Sequence, residues 1–275
     1  MKPFRKIAAA VLILALLLSG CSGSPDTLTI LIPKIGKADC SILKQGSSTL
    51  MIDCGEAENA DTILSTLKQN GITKLDTLII THFDKDHVGG AARILRALPV
   101  GQVLEPDYTP EDPESDSYTS YRQALAETAV PVTALQNSLD LTLGTATLTV
   151  TGDHGAVYTK NIDNNHSLLV TVSHAGNKLL FAGDIEKQRI RDVLEEGVEN
   201  CDFLKVPHHG VYNSALPELF EALGMQYAVI TCSNKNPADA ETLEALERLG
   251  VTTYQTVNGT VKVISNSTGI RITQS

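Results

Sequence analysis

The sequence predicts an α/β fold, a four-layer αββα sandwich in which two mixed sheets pack face to face and helices cover both outer surfaces. Strand hairpins are followed by alternating helix-like and strand-like segments, and this order occurs twice along the chain. Repeated units of that kind are typical of two packed sheets with helices outside. No linker rich in Pro, Gly and Ser interrupts residues 27–275, which are therefore expected to form one domain.

The first half of the pattern begins with a hairpin and continues with helix–strand units. Apolar runs rich in β-branched residues predict strands, and apolar residues at helical spacing predict helices. The predicted strands are Thr27–Ile32, Asp39–Leu43, Thr49–Asp53, Leu75–Ile80 and Gly101–Leu104; the predicted helices are Asp61–Gln69, Val88–Leu98 and Ser120–Thr128. The segment 105–117 holds three prolines and six acidic residues, which predicts an exposed loop.

The second half repeats this order. The predicted strands are Leu139–Leu143, Ala146–Thr151, Ser167–Ser173, Lys178–Ala182, Phe203–Val206 and Tyr227–Thr231, with three short strands between Val251 and Thr273. The predicted helices are Ile185–Glu196, Ala215–Leu223 and Ala238–Leu249.

The N-terminus has the features of an export signal. A basic head precedes an apolar run, Ile7–Leu18, which is short for a membrane span and fits a signal peptide. The ending Ser19-Gly20-Cys21 resembles a bacterial lipoprotein signal. That resemblance implies that residues 1–20 are removed, that Cys21 carries a lipid, that residues 21–26 form a tether, and that the protein is anchored outside the cytoplasmic membrane. A plain signal peptide or an uncleaved anchor ending in Cys is the alternative.

The charge balance limits the ways in which the domain could attract a substrate. The chain has 22 basic and 32 acidic residues, and loss of the signal segment would remove three of the basic ones. A domain this acidic has no general attraction for nucleic acid or for an anionic membrane surface. An anionic substrate would have to be held locally, most effectively by bound metal cations.

Four cysteines follow Cys21. They are Cys40, Cys54, Cys201 and Cys232, and no pair has the close spacing of a structural zinc site. Cys40 and Cys54 fall near each other in the predicted hairpin. They could form a disulfide or remain as two buried thiols, and the sequence leaves both possibilities. The other two are expected to lie too far apart to be bridged.

The strongest functional signal is the run His82-Phe83-Asp84-Lys85-Asp86-His87. It follows a predicted buried strand, and the C-terminal ends of such strands are where α/β proteins place ligand sites. Imidazole and carboxylate groups are good ligands for Zn, Mn and Fe. A polar turn that caps a helix is the alternative, but four potential ligands in six residues favour a metal site.

This run resembles the metallo-β-lactamase signature His-x-His-x-Asp-His, with Asp84 in place of the second histidine. The variant Asp-x-Asp-His followed by Gly-Gly resembles the hydrolase domain of the ComEC competence proteins. Five further segments resemble that family in the same order: Ile35-Gly36-Lys37-Ala38-Asp39, Leu50-Met51-Ile52-Asp53-Cys54-Gly55, Asn164-Asn165-His166-Ser167-Leu168-Leu169-Val170, Phe181-Ala182-Gly183-Asp184 and Leu204-Lys205-Val206-Pro207-His208-His209-Gly210. The first of these differs at several positions from the family's Val-Gly-Gln-Gly-Asp.

The resemblance implies a site for two divalent ions, Mn or Zn. His82 and Asp84 would bind the first ion, Asp86 and His87 the second, and Asp184 would bridge them. Either His208 or His209 would complete the coordination of the second ion. His208 is preferred because it is nearer to the end of the strand.

The remaining ligand of the first ion and the role of one lysine stay open. Asn165, His166 and His154 are the candidates for that ligand. The extra carboxylate of Asp84 favours Mn over an all-histidine zinc site. Lys205 would either hold a substrate phosphate as a catalytic residue or face solvent at a strand edge.

The predicted function is hydrolysis by a hydroxide that two metal ions activate. The resemblance implies a phosphodiesterase or nuclease with an anionic phosphodiester, possibly DNA, as its partner. Alternatives are a hydrolase of a lactone, a thioester, a β-lactam or a wall or lipid phosphodiester on the same fold, and a non-catalytic binding lipoprotein.

Overall fold

The computed structural model describes residues 26–275, which fold into two sheets with helices outside them. The predicted signal segment and the lipidation site Cys21 lie outside the described residues. Within residues 26–275, no helix is long and apolar enough to cross a membrane.

The first sheet contains eight strands, in the spatial order β15-β14-β1-β2-β3-β4-β5-β6. The strands β15 to β3 pair antiparallel along this order, and β3 to β6 pair parallel. They are β1 (Leu28–Ile32), β2 (Ser41–Gln45), β3 (Ser48–Ile52), β4 (Thr77–Ile79), β5 (Val103–Pro106), β6 (Val132–Leu135), β14 (Val261–Asn266) and β15 (Gly269–Gln274).

The second sheet contains seven strands, in the order β13-β12-β11-β10-β9-β8-β7. Here β7 to β10 pair antiparallel and β10 to β13 pair parallel, so both sheets are mixed. They are β7 (Leu139–Leu143), β8 (Ala146–Thr151), β9 (Leu169–His174), β10 (Asn177–Phe181), β11 (Phe203–Lys205), β12 (Tyr227–Ile230) and β13 (Thr252–Gln255).

Three apolar layers hold the fold together. One lies between the two sheets and includes Ile30, Ile79 and Val170; the other two lie between each sheet and its covering helices. The helices are α1 (Ala60–Gln69), α2 (Lys85–Val88), α3 (Ala91–Ala97), α4 (Asp116–Thr128), α5 (Ile162–Asn165), α6 (Lys187–Glu196), α7 (Leu216–Leu223) and α8 (Ala240–Arg248). The predicted αββα fold class is confirmed.

The sequence prediction failed in three places. The single helix predicted over Val88–Leu98 is two helices, α2 and α3, because the backbone N–H of Gly90 donates to Gly55 O outside the helix. A Cβ at Gly90 would lie 2.2 Å from Cys54 O, so only glycine allows this close approach. Strand β6 and the short helix α5 were not predicted at all.

The cysteines of the described region are free thiols. Cys40, Cys54, Cys201 and Cys232 are all buried, and none is bridged. Burial raises the pKa of the Cys40 and Cys54 thiols, and the nearby carboxylate of Asp53 raises both further. Of the two possibilities left open for Cys40 and Cys54, the structure shows the buried thiols.

Candidate metal centre

The candidate site is built from strand ends of both sheets. The run His82–His87 begins three residues after β4 ends in the first sheet. Asp184 follows β10 and the His208-His209 pair follows β11, two neighbouring parallel strands of the second sheet. Because parallel strands end at the same edge of a sheet, these segments meet over one end of the sandwich.

Asp184 lies at the centre of this meeting point. Its Oδ2 is 3.2 Å from His87 Nε2 and 3.0 Å from His209 Nε2. His209 Nε2 is also 3.3 Å from Asp86 Oδ2. Gly183 has φ of +52°, and a Cβ there would lie 2.8 Å from Ser167 Cβ, so glycine is required for the turn that presents Asp184.

His82 and Asp84 occupy the other side of the cluster. The His82 ring is fully buried and its centroid lies 4.0 Å from that of His87. Asp84 Oδ2 is 3.7 Å from His82 Nε2, and 43% of the Asp84 side chain is exposed. Asp84 therefore sits at the open edge of the site, whereas His82, His87 and Asp184 form its floor.

The structure corrects the preference for His208. His209 is buried in the cluster, while His208 turns away and places its Nδ1 3.2 Å from Glu186 Oε1. Both residues have left-handed backbone angles, with φ of 46° and 55°. Such angles are uncommon at non-glycine residues, and here two of them in succession lie at the turn that places His209 in the cluster and His208 beside Glu186.

The arrangement fits divalent metal ions. Three buried ring nitrogens, the Nε2 atoms of His82, His87 and His209, have no well-aligned hydrogen-bond partner within residues 26–275, and neither has Asp184 Oδ1. Buried polar atoms are normally satisfied, so unpaired atoms that converge on one point indicate a ligand. Ligand atoms of His82, His87 and Asp184 lie within 4.8 Å of one another, as do those of Asp86, His87 and His209.

Each histidine is oriented through its other ring nitrogen. His87 Nδ1 lies 2.8 Å from Asp53 Oδ2, and Asp53 in turn accepts hydrogen bonds from the backbone and hydroxyl of Thr81. His82 Nδ1 contacts the hydroxyls of Thr81 and Ser167 at 3.1 and 3.3 Å. Such partners at Nδ1 fix the tautomer of the ring, so that the Nε2 lone pair would be free to bind a metal ion.

His209 is held by a longer chain of groups. Its Nδ1 lies 3.0 Å from Thr231 Oγ1, and Thr231 donates to the buried carboxylate of Asp39. Asp39 also pairs with Lys205. Asp39, Asp53, Thr81, Ser167 and Thr231 were not predicted as site residues, although three of them lie inside the recognised motifs.

In the metal-free cluster, neighbouring carboxylates raise the pKa values of His87 and His209. Burial lowers the pKa of His209, but the carboxylates of Asp184 and Asp39 outweigh that effect and raise it to about 10. Burial likewise opposes the charge on His87, and Asp184 and Asp53 raise its pKa well above the usual value. The same pairs hold the pKa of Asp184 well below its usual value in spite of its burial.

The structure gives other partners to the three candidates for the remaining ligand. Asn165 Oδ1 accepts from the backbone N–H groups of Glu186 and Arg189 at the start of α6. His166 pairs with Asp153 and stacks on a tyrosine ring. His154 is exposed, with Nδ1 3.4 Å from Asn137 Oδ1. None of them belongs to the buried ligand groups of the described residues.

Lys205 is neither at the surface nor available to a substrate. Only 3% of its side chain is exposed and its ammonium pairs with Asp39, because β11 is an interior strand of the second sheet. This corrects both possibilities considered for Lys205, a substrate-holding catalytic residue and a solvent-facing one. A different lysine, Lys37, reaches the cluster from the β1–β2 loop, with its Nζ 3.3 Å from Asp86 Oδ2.

Fold and site together define a metallo-hydrolase built on an αββα sandwich. The model of the metallo-β-lactamase superfamily matches residues 34–233, well over half of the chain. The chain belongs to the metallo-β-lactamase superfamily.

Two curated proteins of this superfamily's ComEC type are similar to the chain. ComE operon protein 3 of Bacillus subtilis is 26% identical over 205 residues, which is 73% of this chain and 26% of that protein. Recombination protein 2 of Haemophilus influenzae is 26% identical over 218 residues, which is 74% of this chain and 25% of that protein. The chain thus spans about a quarter of the length of these relatives. They support the resemblance to the ComEC-type hydrolase domain.

Solved structures show the same fold at low sequence identity. Igni18, a metallo hydrolase of Ignicoccus hospitalis, aligns with a TM-score of 0.56 and 16% identity over 86% of this chain and 98% of its own. YhfI of Bacillus subtilis, a metallo-β-lactamase fold protein, aligns with a TM-score of 0.54 and 13% identity over 83% of this chain and 95% of its own.

Proposed function

We propose that the protein is a two-metal phosphodiesterase, most readily a nuclease, that acts outside the cytoplasmic membrane. The observation that carries this proposal is a buried cluster at the end of the metallo-β-lactamase sandwich. The Nε2 atoms of His87 and His209 lie 3.2 and 3.0 Å from Asp184 Oδ2, and ligand atoms of His82, His87 and Asp184 lie within 4.8 Å of one another. Packing alone gives no reason to bury three imidazoles and a carboxylate at one point, because buried polar groups are costly unless they bind something.

The residues divide into two ligand sets around Asp184. His82 and Asp84 would hold one ion and Asp86, His87 and His209 the other, with the Asp184 carboxylate shared between them. Divalent ions so placed supply a nucleophile from water and stabilise charge on the oxygens of the reacting group. The oxygen-rich ligand set favours Mn over Zn.

The protein's own part in the reaction is orientation. Asp53 holds the Nδ1 side of His87 and the Thr231–Asp39 pair holds that of His209, so both rings present Nε2 to the site. Asp84 lies at the partly exposed edge, where a substrate would enter.

Two arguments support a phosphodiester as the substrate. The ComEC-type hydrolase domain is associated with DNA degradation, and one relative carries a name that refers to recombination, which is a DNA process. Bound divalent ions would also place positive charge within an otherwise acidic protein, which would attract the anionic phosphate group of a diester to the site. An anchor through Cys21 would keep this activity at the outer face of the membrane.

The test is hydrolysis by the full-length protein loaded with Mn²⁺ or Zn²⁺. We expect cleavage of bis-p-nitrophenyl phosphate and of single- or double-stranded DNA, with little turnover of the β-lactam nitrocefin. Nitrocefin turnover without diester cleavage would assign the site to acyl substrates. Stoichiometric metal binding with no hydrolysis of any substrate would leave only a binding role.

A further inference from the structure

Lys205, which the sequence offered as one possible cation for holding a substrate phosphate, is buried and cannot contact a substrate. A phosphodiester must approach a site lined by Asp84, Asp86 and Asp184 in a chain whose formal net charge is −10. Metal ions offset part of that repulsion, but a side-chain cation at the rim would also orient the phosphate.

Lys37 occupies that position. Its ammonium lies 3.3 Å from Asp86 Oδ2, and 33% of the side chain is exposed, so it contacts the cluster and solvent at once. Asp86 Oδ2 is also the oxygen that lies 3.3 Å from His209 Nε2. The ammonium is therefore placed next to the candidate ligands rather than on a distant surface.

The backbone next to Lys37 is hydrogen-bonded to the segment His82–His87. Asp39 N–H donates to Asp86 O at 3.0 Å, and Gly55 N–H donates to Asp39 O at 2.8 Å. Two residues beyond Lys37, the Asp39 side chain is anchored by Lys205. Gly36, with φ of +82°, provides the turn that brings the loop back over the site. These contacts fix the backbone from which the Lys37 side chain reaches Asp86.

Lys205 and Lys37 therefore differ in position and in the charge that each one can contact. Lys205 neutralises the buried Asp39 from within the second sheet, whereas Lys37 faces the opening. When Asp86 is bound to a divalent ion, its attraction for Lys37 is reduced and the ammonium can bond another anion. The resembling family has glutamine at this position of its motif, so the charge is a feature of this chain.

We propose that Lys37 binds a non-bridging oxygen of the substrate phosphate and makes this site selective for anionic diesters over neutral esters. The inference rests on the proposed phosphodiesterase function and adds the residue that sets its substrate class. A hydrogen bond between two charged groups is worth about a 10- to 100-fold change in binding.

The experiment compares Lys37→Met with Lys37→Arg, which keeps the charge. Lys34→Met is the matched control, because Lys34 is an exposed lysine of the same loop. Each full-length variant is loaded with Mn²⁺, its metal content is measured, and it is assayed on bis-p-nitrophenyl phosphate and on the uncharged p-nitrophenyl acetate. Binding of inorganic phosphate is measured separately by calorimetry, which requires no turnover.

For Lys37→Met we expect kcat/KM on the diester to fall about 10- to 100-fold, and phosphate affinity to fall by a similar factor. Activity on the neutral ester and metal content should change less than about 3-fold. Lys37→Arg should recover most of the loss, and Lys34→Met should match the wild type.

The outcomes separate the two proposals. If the wild type cleaves the diester and Lys37→Met does so equally well, with unchanged phosphate affinity, the role of Lys37 is refuted while the phosphodiesterase stands. If both substrates lose activity in parallel with metal content, Lys37 supports Asp86 only and the selectivity proposal is wrong. If the wild type cleaves only the neutral ester, the proposed function itself fails.

Discussion

Metal binding should release protons from the two histidines that face Asp184. His209 has a pKa of about 10 in the metal-free protein, so its imidazole is protonated at pH 7.5, and the carboxylates of Asp184 and Asp53 also raise the pKa of His87 well above its usual value. A metal ion binds only the neutral imidazole, which requires the extra proton to leave. An ordinary histidine with a pKa of about 6.5 is only about 10% protonated at that pH.

The magnitude follows from these protonation states. We expect His209 to release about one proton per protein at pH 7.5 and His87, whose pKa is also raised, to add to that release, against about 0.2 for two unperturbed histidines. The carboxylates of Asp86 and Asp184 add none, since their pKa values are already lowered far below this range. Apparent metal affinity should rise by at least about 10-fold per pH unit between pH 7 and 9, because the His209 proton is displaced.

The stability of the metal-free protein should change with pH in the opposite sense. Because the pKa of His209 is raised on folding, its contribution is fully present below about pH 6.5 and is lost as pH rises to about 10. Urea denaturation of the metal-free protein should therefore show decreasing stability across that window.

The assay is calorimetric titration of metal into the metal-free, full-length protein, in buffers with different heats of ionisation. The slope of the observed heat against the ionisation heat gives the number of protons released. His209→Gln should release about one proton fewer than the wild type. Release of less than about half a proton at pH 7.5 would refute the charged-histidine cluster.

Four further experiments probe a ligand, an outer partner of a ligand, the buried ion pair and the thiols. Asp184→Asn should reduce diester hydrolysis by orders of magnitude in a protein whose circular dichroism is unchanged, since the shared carboxylate is lost. Asp53→Asn should weaken metal affinity about 10- to 100-fold, measured by competition with a chelating dye. Lys205→Met should lower the free energy of unfolding by about 3–5 kcal/mol, because it leaves the Asp39 carboxylate buried without its ammonium partner. Lys178→Met, which breaks a pair with the exposed Glu199, should cost less than about 1 kcal/mol. Alkylation of the unfolded, non-reduced protein should label all four cysteines that follow Cys21, and detection of fewer would indicate a bridge.

Much of the fold could be predicted because its strands and helices carry regular apolar patterns. The elements that were missed lack such a pattern. Strand β6 (Val132–Leu135) lies at the edge of the first sheet, and three of its four residues are exposed, so no apolar face marks it. Helix α5 (Ile162–Asn165) has only four residues, too few to show helical spacing. The break between α2 and α3 depends on a backbone contact with Gly55, which sequence spacing does not reveal.

The candidate site was predictable only where its residues are adjacent in sequence or belong to a recognisable motif. The dense run His82–His87 and the Gly183-Asp184 pair met that condition. The selection of His209 over His208 did not, because it depends on left-handed backbone angles at both residues. The position of Lys205 depends on its pairing with Asp39, and that of Lys37 on a loop that bonds to the backbone of Asp86. Both contacts are products of tertiary packing.

The outer partners of the histidines explain why the two sheets must pack in register for the site to exist. His82 belongs to the first sheet and is oriented in part by Ser167, which precedes a strand of the second. His209 belongs to the second sheet and is oriented through Thr231 by Asp39 of the first. Since His82 and His209 each have an orienting group across this junction, a shift of one sheet would misdirect their Nε2 atoms before any ligand was lost. We therefore expect metal affinity to depend on how the two sheets pack, because these cross-sheet contacts couple metal binding to folding.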